Sequence, residues 1–302
     1  MFYNLRNGKS AINNADIDDL LLEINDDLRK RIHNVLLQMY CDVLKVCQEN
    51  GLVPFLIGGS ALGAVRHKGF IPWDDDLDIG MTRKDYEKFS EIFDQALGRQ
   101  YILNAPNRGL KSKERFPKII KKNTVYSLDP DETQKEHNGF FLDIFIFENV
   151  PDNPVWTFAK GMLCTGLEFL AGQVSFYEKK SRLEKEIYKR ISLMTYYVKK
   201  GIGFLFSFMP SSKWFDLVDR CVQYKNENTK RFAIATGRKH YFGEILEKEK
   251  IFPEIYTDFE NIKAPIFTGY DYYLKNLYGD YMKIPPKEKR ERHCISQIDF
   301  NE

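Results

Sequence analysis

Four aspartates crowd into five positions of the stretch "WDDDLDIG": Asp74, Asp75, Asp76 and Asp78. Like charges this close repel, so something cationic must compensate for them. On extended backbone the side chains alternate, which puts Asp76 and Asp78 on one face and Leu77 and Ile79 on the other. A third carboxylate, Asp143, interrupts the apolar run "GFFLDIFIF". Two carboxylates from one strand and one from a neighbour can hold two divalent cations about 4 Å apart. Sixteen positions before Asp76 ends the triplet Gly58-Gly59-Ser60, a turn that lets backbone N–H groups approach a phosphate at a helix N-terminus. Arg66 and Lys68 follow it and could neutralise charge on a transferring phosphoryl group. His67 between them is a further candidate phosphate contact. Asp75 is a candidate for tuning the metals or orienting those cations. The pattern points to metal-dependent phosphoryl chemistry.

Elements that position these residues can be read on either side. Leu28, Ile32, Val35, Leu36, Met39, Val43 and Val46 recur at three- and four-residue steps, so 16–50 reads as a helix stopped by Gly51. Residues 52–57 read as a buried strand, Gly58-Gly59-Ser60 as a tight turn, and 61–66 as the first turns of a helix. "DDLDIGM" alternates as a strand, and 82–97 reads as an amphipathic helix with Thr82 as N-cap. "FPKIIKKNTVYSL" and "GFFLDIFIF" read as two further strands separated by the polar loop 129–138. Within the first, Lys118 and Asn123 could reach a nucleotide, although strand and turn duties explain them equally.

Beyond residue 154 the character changes. Residues 155–230 are helix-rich, 240–269 mixed with short strands, and 271–281 a tyrosine-rich helix before the basic tail "KIPPKEKRERH". The expected organisation is an N-terminal helical segment (1–50), a catalytic core (51–153), a helical insertion (154–235) and a C-terminal segment completing the site (236–302). A chain of 302 residues with 43% hydrophobic and 14% aromatic residues can bury a real core. The net charge of +2 gives no argument for nucleic acid as a partner. Five cysteines without a C-x-x-C pair, and an N-terminus without an apolar stretch, fit reduced thiols in a cytoplasm. The run 155–176 is long enough to span a bilayer but carries Lys160 and Glu168, and reads as a buried helix. Residues 179–200 hold eight Lys/Arg against two Glu, so peripheral contact with the inner face of an anionic membrane is a second expectation for this stretch.

The stretch "FLIGGSALGAVRHKGFIPWDDDLDIGMTRKDYEKF" resembles the signature of the LicD-type phosphocholine transferases. These are a branch of the nucleotidyltransferase-fold superfamily that includes fukutin and fukutin-related protein. The likeness continues in "KNTVY", "LDIFIFENVP" and "YLKNLYGDYMKIPPKEKRERH" and covers most of the chain outside the helical middle. It implies an α/β (α+β) fold: a nucleotidyltransferase-like mixed sheet core, a helical insertion and a C-terminal closing segment. It also implies transfer of a phospho-alcohol from a CDP-activated donor, CDP-choline favoured, to a hydroxyl of a glycan or lipid-linked glycan, releasing CMP. Asp76 and Asp78 match the family's metal-binding pair and Asp143 its third carboxylate, with Mg²⁺ or Mn²⁺, two ions, as cofactor. Gly59 and Ser60 match its phosphate-cradling turn. The chain departs from the family in Ser60-Ala61 and in Ile146, where a proline is usual; the second change puts a ligand role for Glu148 in doubt.

Two other readings stay open on the same residues. One is nucleotidyl transfer from an NTP with release of pyrophosphate; the other is a nucleotide- or glycan-binding module without turnover. His33, His137 and His240 read as surface or satisfied side chains, and His293 closes the tail motif. Trp73 could stack on a base or wedge its turn. The tyrosines 270, 272, 273, 278 and 281 suggest an aromatic wall for choline, beside the plainer reading of packing.

Overall fold

The computed structural model describes residues 22, 24–108, 112–127, 138–179, 185, 188, 192–287, 290 and 295–301. Helix α1 (Asp26–Glu49) is capped by Asn25, whose side chain accepts from Leu28 N–H, and it ends before Gly51 at φ +67°. Its start at 26 is later than expected; 16–21 and 23 lie outside the described residues. Strand β1 is only Phe55–Leu56, and helix α2 (Gly58–His67) begins at the first glycine. Gly58-Gly59-Ser60 is therefore the opening turn of α2 and not a separate turn before it.

Strand β2 (Asp78–Thr82) starts three residues later than its pattern suggested, leaving Asp76 in the segment that leads in. Thr82 caps α3 (Arg83–Ala96) as expected, its hydroxyl accepting from Asp85 N–H at 3.1 Å. Strand β3 (Tyr101–Asn104) follows. The stretch expected as one strand is two, β4 (Lys118–Lys121) and β5 (Val125–Ser127), because the chain turns at Asn123 with φ +60°. Asn123 thus serves the turn. Strand β6 (Phe141–Asn149) runs unbroken through Ile146.

The principal sheet has the order β1-β2-β6-β4-β3, with β2 and β6 parallel and the other pairs antiparallel. Beyond β6 it continues through β7 (Arg231–Ala233) to β8 (Ile245–Glu247). Ile79, Met81, Leu142, Ile144 and Ile146 belong to one core with α1 and α3 side chains such as Ile32, Leu36, Phe89 and Phe93. The alternate residues face the other way: Phe147 joins Phe55, Ile57, Phe232 and Phe267 in a second cluster, and Asp78 and Asp143 share that alternation. Gly80 is needed there, since a Cβ would lie 2.3 Å from the Phe147 ring. This is the mixed α/β architecture that the resemblance implied.

Helices α4 (Pro154–Glu178), α5 (Leu193–Leu205) and α6 (Ser211–Val222) form the helical middle. Helix α4 was expected to be buried, and it is not. Thr157, Gly161, Cys164 and Ala171 pack inward, while Trp156, Phe158, Met162, Leu163 and Phe169 are exposed. Helix α5 shows the same character in Met194, Tyr197, Val198, Phe204 and Leu205. The basic run 179–200 lies largely outside the described residues until α5 begins. No helix among the described residues is long and apolar enough to cross a membrane.

The chain closes with single-turn helices α7 (His240–Gly243) and α8 (Lys248–Ile251), the hairpin β9 (Glu254–Phe259) and β10 (Ile262–Phe267), helix α9 (Tyr270–Tyr278) and strand β11 (Gln297–Asp299). Strand β11 pairs antiparallel with β5.

Candidate active site

Three neighbouring strands carry the charged row at the centre of the site. Asp78 on β2 is the register partner of Asp143 on β6, and Asp143 is the register partner of Lys118 on β4. Register partners lie about 4.8 Å apart and send their side chains to the same face. The Asp143 N–H also donates to Leu77 carbonyl at 3.3 Å, which continues the pairing towards Asp76. Asp143 is buried, at 1% exposure, and Lys118 Nζ stands 3.7 Å from its Oδ1 and 3.3 Å from Glu114 Oε2. Burial opposes the lysine charge, but Asp143 and Glu114 outweigh it and hold its pKa above the ordinary lysine range. Lys118 supplies the cation beside Asp143. Sequence reasoning gave it no more than a plausible nucleotide contact, and Glu114 went unremarked because nothing in a loop marks a residue that folds back four positions onto a strand.

The opening of α2 is tied to the same row. Ser60 Oγ accepts from Asp78 N–H at 2.8 Å, and Ile57 N–H donates to Asp78 carbonyl at 3.2 Å. Gly58 has φ +52°, and a Cβ there would lie 2.9 Å from Asp78 Oδ2. At Gly59 a Cβ would come within 2.9 Å of Asp74 Oδ2. Both glycines let the turn sit directly against carboxylates. Gly58 N–H donates to the Tyr273 hydroxyl at 3.1 Å, so α9 braces the turn from outside. That role for the buried Tyr273 was not legible in the tyrosine spacing.

The structure does not gather every candidate at this turn. Asp75 is buried, and the Tyr126 hydroxyl donates to its carbonyl at 3.1 Å and its Oδ2 at 3.3 Å. The cations at the far end of α2 are about 10 Å along the axis from the glycines. Lys68 is the exposed left-handed C-cap, and its carbonyl accepts from Glu260 N–H at 2.8 Å. His67 Nε2 accepts from Arg66 Nε at 2.9 Å; burial and the Arg66 charge depress its pKa, so the ring stays neutral. Arg66 itself returns towards the aspartates: it feels the charge of Asp74 and donates to Tyr281 carbonyl at 2.7 Å. Its guanidinium lies 5.7 Å from the Trp73 ring, and Arg290 covers that ring at 4.0 Å. Trp73 is thus a platform for cations. Tyr281 is buried and donates to Asp271, while Tyr272 is partly exposed under Lys250.

Two remaining residues fall elsewhere. His33 Nε2 is hydrogen-bonded with Asp74 carbonyl at 2.7 Å and its ring stacks on Phe70, a satisfied side chain as expected. Glu148 is buried and pairs with Arg83, which also binds Asp219 at 2.8 Å. His137 and His293 lie outside the described residues.

Hard carboxylate oxygens suit Mg²⁺ or Mn²⁺, and the fit of such ions can be judged from the residues present. Asp78 and Asp143 stand side by side on one face, opposite a glycine turn cut away to the carboxylate oxygen, with Asp76 one strand period earlier. As placed, no three carboxylate, imidazole or thiol groups among the described residues converge on one ion. The in-register pair is the part of the donor set that fits.

The site is thus a mixed sheet presenting paired aspartates to a glycine-opened helix. Residues 51–163 match the family described as LicD/FKTN/FKRP, nucleotidyltransferase domain. Over this segment the chain is similar to the LicD-type family. It is 28% identical over 259 residues to the lipopolysaccharide cholinephosphotransferase LicD of Haemophilus influenzae, covering 83% of this chain and 90% of that one. An uncharacterized protein of Rickettsia prowazekii is 33% identical over 119 residues, 39% of this chain and 41% of its own. Another, of Rickettsia typhi, is 42% identical over 60 residues, 20% and 19% respectively.

Proposed function

We infer that this protein is a LicD-like phosphotransferase that moves phosphocholine, or a similar phospho-alcohol, from a CDP-activated donor to a hydroxyl of a glycan such as lipopolysaccharide or a lipid-linked glycan. The observation that carries the reading is the Asp78–Asp143 register pair set against the Gly58–Ser60 turn, inside the segment that matches the family. The extended similarity to a cholinephosphotransferase supports the choice of transferred group.

In this reading the acceptor hydroxyl attacks the β-phosphorus of the donor and CMP leaves with the bridging oxygen. Asp143 accepts the hydroxyl proton. The N–H groups of Gly59 and Ser60 receive phosphate oxygens at the helix N-terminus. Asp76, Asp78 and Asp143 would hold two divalent ions, whose chemistry is Lewis-acid neutralisation of the diphosphate. Arg66, carried on the Trp73 platform, faces the phosphates, and Lys118 keeps Asp143 charged and oriented. A lipid-linked acceptor would bring the enzyme to a membrane surface, where the basic stretch 179–200 meets anionic headgroups.

The test is product analysis. Incubation with CDP-choline, CDP-ribitol, CDP-glycerol and CTP at equal concentration, with Mg²⁺ or Mn²⁺ and a lipopolysaccharide acceptor, should yield phosphocholine-modified glycan and CMP. Pyrophosphate release from CTP alone would replace this reading with nucleotidyl transfer.

A further inference from the structure

We propose that the outward faces of α4 and α5 form a membrane-docking surface that lies in the interface of an anionic bilayer without crossing it. The two helices pack side by side: a Cβ on Gly203 of α5 would lie 2.3 Å from Gln173 carbonyl of α4. On α4 the fully exposed positions between 155 and 169 carry no charge, and on α5 none does between 193 and 205. Trp156 is 68% exposed, Met194 78% and Phe208 77%. Contiguous apolar exposure on this scale marks an interaction surface.

The lysines nearby do not dilute this face, because their ammonium groups turn back onto the protein. Lys200 Nζ donates to the carbonyls of Phe176 and Lys179 at the end of α4, and Lys160 Nζ to Gln223 carbonyl. A helix that is apolar on both its buried and its exposed sides needs a second apolar phase.

Charge identifies that phase as lipid. The chain joining the two helices, 179–192, has six basic and two acidic residues, whereas the whole protein is +2. The excess positive charge is thus concentrated in the sequence that borders the apolar face. A second copy docked through a twofold contact would set this charge against itself. Anionic headgroups attract it, at about 1 kcal/mol per Lys or Arg near the surface. Since no described helix can span, the pair lies in the plane with its aromatic and aliphatic side chains below the headgroups. This inference stands apart from the transferase reading, because binding is measured without turnover.

The experiment uses the full chain and phosphatidylcholine vesicles with or without phosphatidylglycerol. Sedimentation with the anionic vesicles, and quenching of Trp156 fluorescence by brominated acyl chains, are expected. Trp156→Phe should remove the quenching and keep the sedimentation. The triple variant Met162→Ser, Met194→Ser, Phe204→Ser should keep the wild-type circular dichroism and lose more than about a hundred-fold in partitioning, as expected for three large apolar side chains. Three results would overturn the proposal: protein left in the supernatant with both vesicle types, sedimentation without quenching of Trp156, or a stable dimer that shields Trp156 from a soluble quencher.

Discussion

Replacing Lys118 with Met removes one charge from the centre of the site and keeps most of the side-chain volume. At an effective dielectric of about 20, unit charges separated by the observed 3.7 Å attract by about 4.5 kcal/mol. Burying the ammonium costs part of this, and that cost is recovered when it is removed. Truncating one member of a buried pair generally costs about 3–5 kcal/mol. The partner here, Asp143, is 1% exposed while Glu114 is 38% exposed and can turn to water, so we expect about 3 kcal/mol. For a chain of this size that is roughly 5 °C in melting temperature. The assay is thermal unfolding by circular dichroism in chelator-treated buffer, for wild type, Lys118→Met, Asp143→Asn and the double variant. The double variant should regain much of the loss, because no buried charge is left alone. A Lys118→Met protein that melts within about 1 °C of wild type would refute the claim that Lys118 compensates Asp143.

Other outcomes follow from the same site. Asp78→Asn should fold as wild type but lose at least about a thousand-fold in kcat, read by CMP release; near-normal turnover in saturating Mg²⁺ would remove Asp78 from the metal-binding set. Gly58→Ala places a Cβ 2.9 Å from Asp78 Oδ2 at φ +52°, so kcat should fall at least about ten-fold by displacement of the carboxylate, with the far-ultraviolet spectrum unchanged. Glu244 is buried, and burial raises its pKa from 4.5 to about 7. Its folded form therefore prefers the proton: the stabilisation is complete below pH 4.5 and is lost as pH rises to about 7, at a cost of about 3 kcal/mol. Glu244→Gln should flatten that part of the stability profile; an unchanged slope in denaturant melts across this window would contradict it.

The legible parts of the fold were those with a strong local signal. Thr82 capped its helix, the alternation around Asp78 held, and the apolar stretch around Asp143 became a long strand, because burial on both faces leaves a continuous hydrophobic run. The less legible parts depended on distant partners. Strand β1 shrank to two residues because pairing with β2, and not its own apolar content, sets its length. The β4–β5 break needed Asn123 in a left-handed turn. Helix α4 misled most. A nearly uncharged helix reads as core, and composition alone does not say whether the second apolar phase is protein. Within the site, Asp78 and Asp143 announced themselves by type and spacing, whereas Lys118, Tyr273 and Arg290 were ordinary residues until the topology brought them in.

The brace on the glycine turn arrives late. Gly58 N–H meets Tyr273 and Arg66 meets Tyr281 carbonyl, each across 215 positions of sequence. At roughly 5–20 residues per second a ribosome needs about 10–40 s to supply that intervening length. During this interval strands β1 to β4 and β6 can already pair and bury their core, while the Gly58 N–H has only water. Contacts so distant in sequence are also the slow ones to close. Catalytic competence would then be acquired as a final, separate event in biogenesis. A nascent chain arrested after β10 would hold both aspartates in register without the α9 tyrosine that steadies the turn against them.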